Sequence, residues 1–277
     1  MEIGGYLEAV RSCEPLVHCI TNYVTAADCA NLLLAGGARP VMADDPAEVA
    51  EITAQSHALV VNLGTPNERV LLSQRIAGKA AMAAGIPVVF DPVGVFASSL
   101  RREAAERFLA EVRPSVIRGN KAEMKVIREI LAGLSDREAS LYAASRSGCP
   151  GETLAAGMLQ PVLVTTGEID TVTEGERCFV IRNGCQEMAK VTGTGCQLSA
   201  LIAAYVAASS EDIAKVTSAA VAAMGLAGEL ARERMARTDG NATFGRRIID
   251  AVYTMTPEEL GARALISETK GGEAYEV

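Results

Sequence analysis

The segment Val191-Thr192-Gly193-Thr194-Gly195-Cys196-Gln197 sets two glycines and a cysteine at the opening of a long helical pattern. Glycines let backbone approach a ligand closely. The first turn of a helix offers unpaired N–H groups and the positive end of the dipole. Together, Gly193, Thr194, Gly195 and Cys196 can form an anion hole suited to a phosphoryl group. A thiol in that first turn is expected to have a lowered pKa, which makes Cys196 the candidate catalytic residue. The same residues would also make an ordinary Gly-rich loop before a helix, and chemistry alone leaves both readings open.

Two carboxylates are candidates to organise a cation. Asn120-Lys121-Ala122-Glu123 puts Asn and Glu on one face of a helix start, where Glu123 could reach a hydrated Mg²⁺ or simply close a capping box. Asp91 stands in a turn stiffened by Pro92, where it could bind a cation or accept local hydrogen bonds. Other phosphate motifs fail. Gly193-x-Gly195 is followed by Leu198, not by the third Gly of a dinucleotide fingerprint, and Gly78-Lys79 lacks the rest of a Walker A loop. The only histidines are His18 and His57, so a Cys–His hydrolase would need one of them beside Cys196. His57 precedes an apolar strand and reads as structural, whereas His18 could line a pocket.

Strands and helices must position these groups. Apolar runs at Arg39–Ala43, Ala58–Leu63, Ile86–Phe90, Ser115–Arg118 and Pro161–Thr165 read as strands. Ile169–Thr173 and Cys178–Ile181 read as a hairpin. Helices are expected from caps at Thr21 or Asn22 to Leu34, from Asp45-Pro46, from Thr65-Pro66 to Gly85, over Leu100–Val112, and from Asn120 to Leu131. Further helices follow from Gly195, where Leu198, Leu201, Ile202 and Tyr205 share a face, over Ile213–Met235, and over Phe244–Tyr253. Leu134–Glu152 is the least patterned segment, and the tail from Thr269 is expected to fray. The alternation predicts an α/β fold with a mostly parallel sheet, helices on both faces, and one domain over residues 1–277. Ligands of such sheets bind beyond the carboxyl ends of the strands. Met42, Asn62, Asp91, Asn120 and Thr166 all fall there.

Composition removes several classes of function. A formal net charge of -8 disfavours nucleic acid as a partner. No Lys/Arg run marks a membrane surface, and the apolar stretch Leu198–Ala208 is too short to cross a bilayer. The first residues carry no secretory leader pattern. Seven cysteines without a CxxC read as reduced thiols in a cytoplasmic protein, most of them small buried hydrophobes.

In order along the chain, Pro15-Leu16-Val17-His18, Ile20-Thr21-Asn22, Pro40-Val41-Met42-Ala43, Asn62-Leu63-Gly64-Thr65, Asp91-Pro92-Val93-Gly94, Ile117-Arg118-Gly119-Asn120 with Glu123, Thr166-Gly167-Glu168 and Val191-to-Cys196 resemble the hydroxyethylthiazole kinase family. The resemblance implies a ribokinase-like fold. It implies ATP-dependent phosphorylation of the primary hydroxyl of 4-methyl-5-(2-hydroxyethyl)thiazole, with Mg²⁺ as cofactor. It further implies a homotrimer with thiazole sites near subunit boundaries. By matching positions, Met42, Gly193 and Asn22 would bind the thiazole alcohol, Arg118 and Thr166 would bind ATP, and Asp91 and Glu123 would hold the metal through water. Cys196 would stand where most ribokinase-like kinases carry an Asp general base. Cys19 and Tyr23 depart from the family pattern.

Overall fold

The computed structural model describes residues 2–134, 161–209 and 211–270. The unpatterned segment, apart from Leu134, lies outside these residues, as does Cys149. Over the described residues the helices are α1 (Ile3–Cys13), α2 (Ala26–Gly36), α3 (Val49–Ala54), α4 (Glu68–Ala84), α5 (Ser99–Glu111), α6 (Lys121–Gly133), α7 (Thr194–Ala208), α8 (Ile213–Glu233), α9 (Asn241–Thr254) and α10 (Pro257–Arg263). The strands are β1 (Leu16–Ile20), β2 (Arg39–Val41), β3 (Ala58–Asn62), β4 (Val88–Asp91), β5 (Val116–Asn120), β6 (Val162–Thr166), β7 (Asp170–Glu174), β8 (Arg177–Ile181) and β9 (Ile266–Lys270).

All nine strands join one sheet in the order β2-β1-β3-β4-β5-β6-β7-β8-β9. From β2 to β6 the pairs are parallel, and from β6 to β9 antiparallel. The parallel strands explain the apolar runs: β3 and β4 are buried at every position, because helices cover both faces. Side chains alternate between two cores. Val17, Val60, Val89, Val116 and Val162 join the core beneath α1, α2, α7, α8, α9 and α10. Ile20, Leu59, Val61, Phe90 and Ile117 join the core beneath α4, α5 and α6. The expected α/β architecture is therefore present.

Helix α7 lies inside the first core, with Gln197 through Val206 all buried. A helix apolar on every side must be enclosed, so its start is held rigidly against the sheet edge. Helix α8 is long and apolar enough to cross a bilayer, but 83% of its apolar window is buried within the fold, as befits a core helix.

Local signals misplaced several helix starts. Helix α2 begins at Ala26, not beside Asn22, because Asn22 folds back to accept Thr25 N–H at 3.1 Å. Helix α3 starts only at Val49, since Asp45 closes a turn by accepting Ala47 N–H at 2.9 Å. Asn67, not Thr65, caps α4 by accepting Val70 N–H. Gly37 and Gly85 end α2 and α4 with φ of 94° and 69°, where the missing Cβ avoids strain. At the start of the tail Thr269 and Lys270 do not fray but pair with β8 as the end of β9, and residues 271–277 lie outside the described residues.

Candidate active site

The carboxyl ends of β1, β3, β4 and β5 face the start of α7. Gly193 caps that helix at φ 91°, and a Cβ there would stand 2.5 Å from Thr25 Cγ2. Glycine is thus required twice over, by backbone and by space. The first turn holds no acidic residue and no side-chain cap, so its amides are not consumed by the protein's own anions. Residues Gly193 to Cys196 are half-buried, and Thr192 is exposed. The hole is open at the surface rather than sealed by a neighbouring element. The Arg118 guanidinium lies directly over Gly195, occupying the place a β-carbon would need. An anion entering here meets a helix N-terminus on one side and a guanidinium on the other.

Beneath the hole lies a buried polar network. Asn22 Nδ2 donates to Asn62 Oδ1 at 3.1 Å and to Cys196 Sγ at 3.3 Å. Asn62 Nδ2 donates to Asp91 Oδ2 at 2.8 Å and to Cys196 Sγ at 3.3 Å. Ser199 Oγ donates to the same Asp91 oxygen at 2.9 Å. The expected low pKa of Cys196 is corrected by these surroundings. Burial first, and then the Asp91 carboxylate, push the thiol above its ordinary value, outweighing hydrogen bonds from Thr25, Asn62 and Asn22.

Asp91 is fully buried. Burial pushes its pKa up to about 6, with Arg118 opposing and the Glu123 carboxylate adding to the rise. Its Oδ1 accepts no hydrogen bond and stands 3.8 Å from an Arg118 amine. Glu123 accepts Gly94 N–H and Asn120 N–H, each at 2.8 Å, and Asn120 returns the bond in a capping box. A half-satisfied buried carboxylate beside a second one fits a cation. No cluster of three or more metal-ligating side chains occurs among the described residues. An ion here would complete its shell with water and phosphate oxygens, the habit of Mg²⁺.

Arg118 donates to Thr166 Oγ1 at 2.7 Å, so the two residues expected on the nucleotide side are joined. Met42 is 39% exposed just past β2, at the same sheet edge as Asn22 but one strand outward. The two residues that follow it are held: His18 Nε2 meets Ala43 O at 2.8 Å, and Arg69 forms a two-pronged pair with Asp44. His18 is fully buried, and its other nitrogen meets Thr53 Oγ1 at 2.8 Å. Both ring nitrogens are therefore engaged away from Cys196, which removes the Cys–His hydrolase reading. His57 accepts Leu16 N–H, a structural role. Of the described cysteines Cys19 and Cys29 are buried, while Cys13 is exposed, contrary to the small-hydrophobe expectation.

Two site residues escape the motif search, and Asn62, found at the ligand-binding strand ends and in a family motif, carries no role there. Ser199 reads in sequence as one more small residue of a core helix. Arg101 donates to the carbonyls of Leu63, Val93 and Gly64, tying the loops after β3 and β4 together, and nothing local signals that.

The model of the hydroxyethylthiazole kinase family matches residues 7–258. A hydroxyethylthiazole kinase of Clostridium acetobutylicum is 44% identical over 260 residues, covering 92% of this chain and 95% of that protein. The structure of a hydroxyethylthiazole kinase from Pyrococcus horikoshii OT3 superposes with a TM-score of 0.82 at 31% identity, over 97% of this chain and 99% of that one. A ribokinase-like superfamily protein from Enterococcus faecalis V583 shares the fold, with a TM-score of 0.58 at 11% identity over 91% of this chain and 90% of that one.

Proposed function

The chain belongs to the hydroxyethylthiazole kinase family, and on that premise we propose that it transfers the γ-phosphoryl group of ATP to the primary hydroxyl of 4-methyl-5-(2-hydroxyethyl)thiazole at the start of α7, within a single ribokinase-like kinase domain. One juxtaposition supports this most strongly: Arg118 stands over Gly195 in the first turn of a buried helix, with Asp91 beside both Arg118 and the Cys196 thiol of that turn.

Phosphoryl transfer needs little covalent help from protein and much positioning and charge stabilisation. The N–H groups of Gly193, Thr194, Gly195 and Cys196 hold the transferring group, and Arg118 faces them from above. Arg118 and Thr166 form the ATP side, and Met42, Gly193 and Asn22 the side of the thiazole alcohol. Asp91 and Glu123 would hold Mg²⁺ through water, and the ion would supply charge neutralisation at the phosphates. A raised thiol pKa keeps Cys196 protonated at neutral pH, so it is a poor acceptor of the alcohol proton and acts chiefly by shaping the hole and orienting the hydroxyl.

The assembly we propose is a homotrimer with sites near subunit boundaries. Tyr23 at 81% exposure, with Val24, Met42 and Phe96 also open to solvent, places apolar surface along the sheet edge that carries the site, where a neighbouring copy would cover it. Light scattering giving the mass of one chain would refute that. Free thiols among the described cysteines fit the cytoplasm.

A coupled assay of ADP release, with and without the thiazole alcohol and Mg²⁺, tests the activity. Alcohol-dependent ADP release is expected. Tight ligand binding without ADP would point to a binding protein, and preference for a pyrimidine or pyridoxal alcohol in a substrate panel to a sister kinase.

A further inference from the structure

We propose that Asn62 is the positioning residue of this site, the single amide that holds the Cys196 thiol and the Asp91 carboxylate in register with each other. The inference rests on the kinase reading above and assigns a role to a residue outside the substrate, nucleotide and metal sets.

Asn62 is 2% exposed, and its side chain has no spare hydrogen-bonding capacity. Its oxygen accepts Gly64 N–H at 2.8 Å and the Asn22 amide at 3.1 Å. Its nitrogen donates to Asp91 Oδ2 at 2.8 Å and Cys196 Sγ at 3.3 Å. The orientation is forced. A backbone N–H can only donate, so Gly64 fixes which end is oxygen, and the NH₂ must face the carboxylate and the sulfur. The backbone is equally constrained: Asn62 pairs with Asp91 across β3 and β4, and Gln74 donates to its carbonyl at 2.8 Å. Asn22 and Ser199 supply further donors, to the sulfur and to the carboxylate respectively, but only Asn62 donates to both. A residue that satisfies four partners from one rigid amide transmits the place of each to the others.

Two substitutions separate this role from mere packing. Asn62→Asp keeps the shape and the acceptor for Gly64 but cannot donate to Asp91 or Cys196. Asn62→Ala removes all four bonds. We expect both proteins to fold by thermal denaturation, with kcat reduced about tenfold to a hundredfold, the consequence of leaving a buried polar partner unsatisfied. KM for ATP in both variants, and for the alcohol in Asn62→Asp, which keeps the acceptor for Asn22, should stay within about threefold, because neither ligand is bound by Asn62. The Asp variant should be no better than the Ala variant despite its isosteric side chain. In a Cys196→Ala background, Asn62→Ala should cost much less than in the parent, since part of its effect passes through the sulfur. Folded Asn62 variants with parental kcat, losses confined to KM, or fully additive effects would overturn the proposal. If Asn62→Ala fails to fold, Asn62→Asp carries the test. A crystal structure of Asn62→Asp decides it without turnover: the Cys196 and Asp91 side chains should leave their parental rotamers, and unchanged positions would overturn the proposal. Absence of alcohol-dependent ADP release from the parent protein would instead remove the kinase reading.

Discussion

Burial of Asp91 should make the ligand-free protein lose stability as pH rises through mild acidity. The perturbation is pH itself, with Asp91→Asn as the control that cannot ionise. Asp91 is fully buried, and its pKa stands at about 6 against an ordinary 3.8. The folded state therefore binds this proton more tightly than the unfolded chain does. Stability from the group is complete below the unfolded value and is lost as pH climbs through the folded one. Two pKa units set a ceiling of about 3 kcal/mol. Between pH 5 and pH 7.5, linkage gives about 1 kcal/mol of that loss. The assay is urea unfolding of the full chain at both pH values without nucleotide or Mg²⁺. The parent should lose about 1 kcal/mol relative to Asp91→Asn over this interval. Parallel pH dependences would refute the reasoning. The same variant should lose kinase activity by about a hundredfold or more, because a carboxylate kept ionised at a stability cost is one the chemistry requires.

Cys196→Ala should slow turnover by roughly tenfold to a hundredfold without abolishing it, and Cys196→Asp should stay active, since the Asn22 and Asn62 amides that face the sulfur can equally donate to a carboxylate. Loss of all activity in Cys196→Asp by the ADP assay would contradict that role. Iodoacetamide should modify exposed Cys13 faster than Cys196 at neutral pH, because burial and Asp91 keep the Cys196 thiol protonated; faster modification of Cys196, read by peptide mass spectrometry, would contradict it. Gly195→Ala should push the Arg118 guanidinium off the helix start and raise KM for ATP by about tenfold, with little change in Tm because a flexible side-chain end can move aside; unchanged ATP kinetics would argue against Arg118 as the lid of the hole.

Features that depend on a few neighbouring residues were legible in the sequence. The Asn120–Glu123 capping box is complete within four positions and forms as read. So does the β7–β8 hairpin, whose partners are adjacent in sequence. The buried strands β3 and β4 announced themselves by apolar runs, since nothing polar survives between two helical layers. What failed were properties set by distant partners. Asn22 looks like a helix cap, yet Asn62 and Cys196, far away in sequence, turn it into the floor of the site. A thiol at a helix start should be acidified, but burial beside Asp91 reverses the sign. Thr269 and Lys270 read as the start of a loose tail because the support of β9 is β8, some ninety residues earlier. Helix α1 and strand β1 carry no cap or alternation strong enough to place them from sequence.

On the proposed function, the first-turn amides of α7 grip the phosphoryl group as it leaves the nucleotide. A crystal structure of the protein with a non-hydrolysable ATP analogue, Mg²⁺ and the thiazole alcohol tests this most directly. The γ-phosphate should lie within hydrogen-bonding distance of the Gly195 and Cys196 amides, with Arg118 on its far side and the alcohol oxygen in line behind it near Cys196. A γ-phosphate bound elsewhere along the sheet edge, with those amides facing only solvent, would contradict the account.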